Sequence, residues 1–368
     1  MPQQFPDQPN VLWEQSLTHA GLGGIAATSK YVVFGDRDDD DFHDVFRCLD
    51  ADSGEPIWEV QRLAIDSLDY GNSPRATPLI VGQYVYCRGA HGHLLCLRLA
   101  DGQVVWERNF RDEFPVPDEL PWGYCGSPLM VDQKLIVATG NPDASLLALN
   151  PINGEVIWKS PGRPLGYGSL IAGNFRGVKQ VVGHDQTTLG GWDLKTGQRL
   201  WTIEPKVDGD FNVPTPLVIP GADGSNQLMV ATENNGIRLY RFDSSGIAID
   251  PPAIDSQKLR TDMTTPIVVG SNVFCVKTFL YCLDAASLKE KWRLRDKAIG
   301  DYASLLASPD RLLVIGKGEL LLFASDGEKE LISRMRVFPE NQTLYSFPAM
   351  VGRRLYVRGS HAVKCLQF

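Results

Sequence analysis

Six histidines, seven cysteines and one acidic run are the side chains of this 368-residue chain that could bind metal or move protons. His91-Gly92-His93 places two imidazoles in one short segment, the spacing of a chelating pair, whereas His19, His43, His184 and His361 are scattered and read as solvated loop residues. The run Asp36-Arg37-Asp38-Asp39-Asp40-Asp41-Phe42-His43-Asp44 alternates carboxylates as a calcium loop does, with Asp36, Asp38 and Asp40 as candidate ligands. Counted from Asp36, however, the sixth residue is Asp41 where such a loop needs Gly, and the twelfth is Arg47 where it needs Glu. A solvated acidic loop is therefore expected, and no metal is assigned. Cys48, Cys87, Cys96, Cys125, Cys275, Cys282 and Cys365 are odd in number, with no adjacent pair and no Cys-x-x-Cys, which supports neither a disulfide framework nor a zinc site. The chain has no Gly-x-Ser-x-Gly elbow, no phosphate-cradling Gly-x-x-x-x-Gly-Lys and no His-Glu-x-x-His. Asp66, Asp185, Asp210, Asp262 or Asp301 could act as a lone base in a site assembled from separate loops, yet the residues favour binding over catalysis.

Charge and hydropathy narrow the partners. Thirty-six Lys and Arg against 44 Asp and Glu leave a net charge of −8, which argues against a grip on phosphate backbones, so no nucleic-acid partner is expected. No apolar run approaches the ~18 residues that span a bilayer, and Met1 to Asn10 lacks the basic head and apolar stretch of a secretory signal.

The elements that position these residues are short runs of Val, Ile, Leu, Tyr and Phe punctuated by Gly and Pro, the pattern of an almost all-β chain. One segment recurs. Leu49 to Trp58 and Leu149 to Trp158 share the pattern Leu, Asp or Asn, a turn Gly and a closing Trp; Leu97 to Trp106, Trp192 to Trp201 and Leu283 to Trp292 are further copies. Phe242 to Asp250 and Phe323 to Leu331 are degenerate copies, placing the Trp-equivalent positions at 58, 106, 158, 201, 250, 292 and 331. A period of about 40 to 50 residues is that of one four-stranded propeller blade. The expected fold is a single all-β domain over residues 1–368, an eight-bladed β-propeller of four-stranded antiparallel blades. Its blades are expected near 22–60, 73–108, 125–160, 167–203, 212–251, 263–294, 302–333 and 345–368. The last is one strand short, and Val11-Leu12-Trp13-Glu14 reads like Val156-Ile157-Trp158-Lys159, so residues 11–16 are expected to close the ring.

The Leu-Asp-x-x-x-Gly-x-x-x-Trp segments resemble the repeat of the PQQ-like, quinoprotein-type β-propeller family across essentially the whole chain. That family includes quinone-dependent dehydrogenases and the propeller lipoprotein of the outer-membrane β-barrel assembly machinery. Arg75-Ala76-Thr77-Pro78-Leu79 and Gly126-Ser127-Pro128-Leu129 are similar to strand openings in its small bacterial members outside the dehydrogenases. The resemblance implies the periplasm or cell envelope, although nothing within the chain excludes the cytoplasm. For the dehydrogenase branch it implies a quinone between a Trp and a disulfide of adjacent cysteines, with calcium held by Glu, Asn and Asp. This sequence has no adjacent cysteines, and no cofactor is expected.

In a propeller the connections between blades surround the entrance of the central channel. Here they carry Tyr70, Trp122, Tyr124, Tyr167, Phe211, Tyr302 and Tyr345, with Arg75 beside them. These rings either fill gaps between blades or form a wall for a ligand or peptide. The expected function is a non-catalytic, monomeric scaffold that binds a protein or peptide on the funnel face. The alternatives are a PQQ and Ca2+ dependent oxidoreductase, or a binding protein or sensor for a small polar ligand.

Overall fold

The computed structural model describes residues 1–117, 119–338 and 344–368. They form eight four-stranded antiparallel sheets arranged as the blades of a ring, and the one helix among the described residues is the short Phe110–Glu113. The last blade is composite: its outer strand Val11–Ser16 pairs with Ala362–Gln367, so the start of the chain supplies the strand that its end lacks. The expected fold, blade count and closure are all present.

Local chemistry explains the repeat. Gly54, Gly102, Gly154 and Gly197 close the hairpins before the outer strands with φ between 72° and 76°, the left-handed region that only Gly enters without strain. A second constraint acts on the same atoms, because the indole of the preceding blade lies against each glycine. A Cβ on Gly102 or Gly154 would sit 2.8 Å from the ring of Trp58 or Trp106. Each indole N–H then donates across the seam, from Trp58 to the Leu99 carbonyl at 2.8 Å and from Trp106 to that of Pro151 at 2.8 Å. In the sixth blade Leu288 takes the glycine position with φ 51°, and its buried side chain packs in the seam between the fifth and sixth blades. Cys48, Cys96, Cys282 and Cys365 sit opposite the repeat tryptophans in the neighbouring strand and are fully buried, small apolar packing groups as expected.

Two degenerate registers differ from the expected ones. In the seventh blade the residue opposite Leu322, where other blades carry Trp, is Ser333 and not Leu331, which is 40% exposed. Its hairpin carries the charged run Glu328-Lys329-Glu330, which stays in solvent and delays the pairing by two residues. In the fifth blade the outer strand is Ile254–Ser256, beyond the expected end at 251. Pro251 and Pro252 have no N–H to donate to a ladder, so pairing resumes only after them.

Candidate functional site

The openings of the innermost strands fix the channel wall. The backbone N–H of Thr77 donates to the Ser127 hydroxyl, Ser127 to Ser169, Ser169 to Thr215 and Thr215 to Thr265, each at 3.0 to 3.3 Å. Five consecutive blades are thus tied around the axis by one repeated contact. Farther round, the Ser304 hydroxyl donates to the Ser346 carbonyl and the Ser346 hydroxyl to that of Gly23. A hydroxyl residue near the start of each strand was the sequence signal for this belt, visible in Thr77-Pro78 and Ser127-Pro128.

Inside and above the belt lies a central cavity of about 490 Å³. Tyr70, Arg75, Trp122, Tyr167, Tyr302 and Tyr345 line it, so six of the eight residues singled out in the sequence converge on one space. Trp122 is the hub: its ring centre is 4.6 Å from that of Tyr167, 4.6 Å from Phe211 and 6.0 Å from Tyr70. Opposite, Tyr302 and Tyr345 stand 5.2 Å apart. Tyr70 is 76% exposed, so the mouth presents apolar rings to water, as recognition surfaces do.

The other two residues lie elsewhere. Phe211 packs on Trp122 but does not line the cavity. Tyr124 is buried in the seam between the second and third blades, with the Arg88 guanidinium 5.0 Å over its ring, so it belongs to the core and not to the wall.

Several lining residues had no signal of their own in the sequence. Met263, Phe347, Cys125 and Arg358 reach the cavity from three different blades, Phe347 and Arg358 both from the eighth. Burial pushes the Cys125 thiol up to about 12, and its Sγ donates to the Trp122 carbonyl at 3.2 Å, so it is no thiolate nucleophile. The lining contains no Asp and no Glu, but it does contain two guanidinium groups. Arg75 is held by the carbonyls of Ser73, Asp69 and Gly71. Arg358 is completely buried over the Phe34 ring, and its Nη1 donates to the Gly35 carbonyl while Nε and Nη2 have no hydrogen-bond partner. Burial lowers the Arg358 pKa to about 10, which leaves it cationic at neutral pH; the Asp36 carboxylate stands 3.9 Å away.

The acidic run is used internally. Asp36 accepts the N–H groups of Thr18 at 3.1 Å and His19 at 3.2 Å and pairs with Arg47 at 3.1 Å, tying the closing segment to the first blade. Asp38 accepts from the Phe42 and His43 amides and lies 2.7 Å from the His43 ring; burial opposes ionisation there, but these partners hold its pKa down at about 2. Asp40 faces solvent. The three carboxylates point to different partners, and among the described residues no three His, Cys, Asp or Glu side chains converge as a metal site would require.

The family model described as outer membrane protein assembly factor BamB matches residues 7–116 and 118–292. A curated relative, an uncharacterised protein of Rickettsia conorii, is 23% identical over 216 residues, 56% of this chain and 50% of the relative, so the chain matches about half of that relative's length. BamB from Moraxella catarrhalis superposes with a TM-score of 0.64 at 17% identity, covering 97% of both chains. The quinohemoprotein alcohol dehydrogenase from Comamonas testosteroni gives a TM-score of 0.67 at 13% identity, covering 97% of this chain and 76% of that one. At these identities the likeness is one of fold. The residues do not fit a quinone and calcium centre of the dehydrogenase kind, because the cavity wall offers one cysteine, Cys125, and no Glu, Asn or Asp ligand.

Proposed function

This chain belongs to the family described as outer membrane protein assembly factor BamB, and on that premise we propose that it is a propeller scaffold that holds a segment of a protein partner at the mouth of its central cavity, in the bacterial cell envelope. The observation that carries the reading is the convergence of Tyr70, Trp122, Tyr167, Tyr302 and Tyr345 on one open, apolar space. Such rings lose little conformational entropy on contact and supply much of the energy of many interfaces. The belt of hydroxyl contacts ties together the strands beneath the rings. No helix among the described residues is long and apolar enough to cross a membrane.

The test is capture from a native envelope extract with chemical cross-linking and identification of what is retained. Trp122→Ala should lose the partner that the parent retains, by about 2 kcal/mol or more in affinity. Glu55→Ala/Glu155→Ala, which alters exposed residues at the hairpin turns, should keep it. Equal capture by the two variants would remove the basis for this site.

A further inference from the structure

The central cavity continues on one side into a second recess of about 760 Å³ between the sixth and seventh blades, and Met263, Tyr302 and Tyr345 line both. The recess presents Arg295, Lys297 and Lys317. Its two carboxylates are already engaged: Asp296 pairs with Arg334 and accepts the Ala298 N–H at 2.9 Å, and Asp301 accepts the Thr278 hydroxyl at 2.9 Å. Lys297 stands 3.8 Å from Glu319, which Arg334 and Arg336 also approach, so three cations draw on one buried carboxylate. Arg295 and Lys297 are exposed. At the other end of the same continuous space, the central wall carries no acid, and Arg75 and the fully buried Arg358, whose Nη2 lies 3.9 Å from Asp36, add positive charge behind it. The recess sets three cations against two carboxylates, one of them already paired with Arg334, and so favours anions in a chain whose net charge is −8.

We propose that the occupant is an extended acidic peptide segment of the partner, which inserts one aromatic or aliphatic side chain among Trp122, Tyr167 and Tyr302 and lays its Asp and Glu side chains along Arg295, Lys297 and Lys317. The inference rests on the reading of the funnel as a protein-binding site and adds the chemistry of the partner. The apolar anchor supplies affinity from the aromatic cavity, while the exposed cations supply register and a strong dependence on salt.

The test uses fluorescence anisotropy with labelled peptides of about ten residues, each with one Phe, whose remaining positions carry Glu and Asp, their amides Gln and Asn, or Lys. The acidic peptide should bind at least about tenfold more tightly than the amide peptide, and raising NaCl from about 50 to about 300 mM should remove most of that advantage. Arg295→Glu/Lys297→Glu should abolish the preference; because Lys297 also stands 3.8 Å from the buried Glu319, Arg295→Glu alone, at an exposed side chain, should weaken the preference without a change in melting. Trp122→Ala should weaken the acidic and amide peptides alike. Equal binding of those two peptides, a preference for the Lys peptide, no binding of any, or an unchanged preference in the charge-reversed variant would overturn the proposal. If Trp122→Ala loses the cross-linked partner while the charge-reversed variant keeps it, the scaffold function stands and the acidic peptide falls.

Discussion

The backbone N–H of Phe5 donates to the hydroxyl of Ser333 at 3.0 Å, across almost the full length of the chain. Ser333 occupies the register that holds Trp in six other blades, and the buried Phe5 ring fills the seam that the missing indole leaves, 5.3 Å from the ring of Phe368. The start of the chain therefore closes the propeller twice, once with the strand Val11–Ser16 and once with a borrowed aromatic.

Phe5→Ala should cost about 3 to 5 kcal/mol, as truncation of a buried aromatic does. Deleting residues 1–16 removes Trp13 as well and leaves the Ala362–Gln367 edge unpaired, so that variant should aggregate or melt earlier still. Denaturant melts of both variants check this, and a deletion that melts like the parent would contradict the closure.

The tryptophan register makes graded demands. Trp158→Ala should cost about 3 to 5 kcal/mol, whereas Leu331→Ala, at an exposed position, should stay within about 0.5 kcal/mol. Gly197→Ala should also destabilise, because φ is 75° there and the added methyl meets the Trp158 ring. Equal melting of the Trp158 and Leu331 variants would refute the register.

Most of the fold was legible because its signal is local: turn glycine and tryptophan lie within ten residues, as in Leu49 to Trp58, and one hairpin enforces both. Ser333 and Ile254–Ser256 escaped because a charged run and two prolines shift the pairing, and only the ladder reveals the shift. The site was half legible. Loop position brought out Trp122 and Tyr167, but Arg358 reaches the wall beside Ala20 and Gly21 only when the ring closes, a relationship no local pattern encodes. Trp122 and Tyr124 read alike in the sequence, yet Gly123 between them has φ 63° and sends one ring to the cavity and the other into the core.

Tyr124 gives a separate check on that division. Its hydroxyl is buried without a hydrogen-bond partner, so Tyr124→Phe should leave stability unchanged or raise it by up to about 1 kcal/mol. Tyr124→Ala should instead cost about 3 to 5 kcal/mol by emptying the space under Arg88. At temperatures well below melting, both variants should retain the cross-linked partner that Trp122→Ala loses. Loss of capture by a folded Tyr124→Phe would return this residue to the wall.

Two imidazoles, the buried His91 and the partly buried His184, contribute to the response to acid. Burial, helped by the positive charge of Arg37 near His91 and of Arg238 near His184, lowers both histidines from an ordinary value of 6.5 to about 4. At these two sites the unfolded chain therefore binds more protons than the fold between those two values, and the contribution of neutral imidazole to stability is fully present above pH 6.5 and lost as pH falls through about 4. The histidines pull the melting temperature down across that window, while Asp44, which burial raises to about 7 against the pull of Arg37, holds a proton in the fold there and offsets part of the fall. In His184→Gln the fall should be shallower, with the added amide still able to meet Asn212, which now lies 3.0 Å from the His184 Nδ1. Melts of the parent and the variant at closely spaced pH values measure the two slopes, and parallel slopes would show that His184 does not titrate in this window.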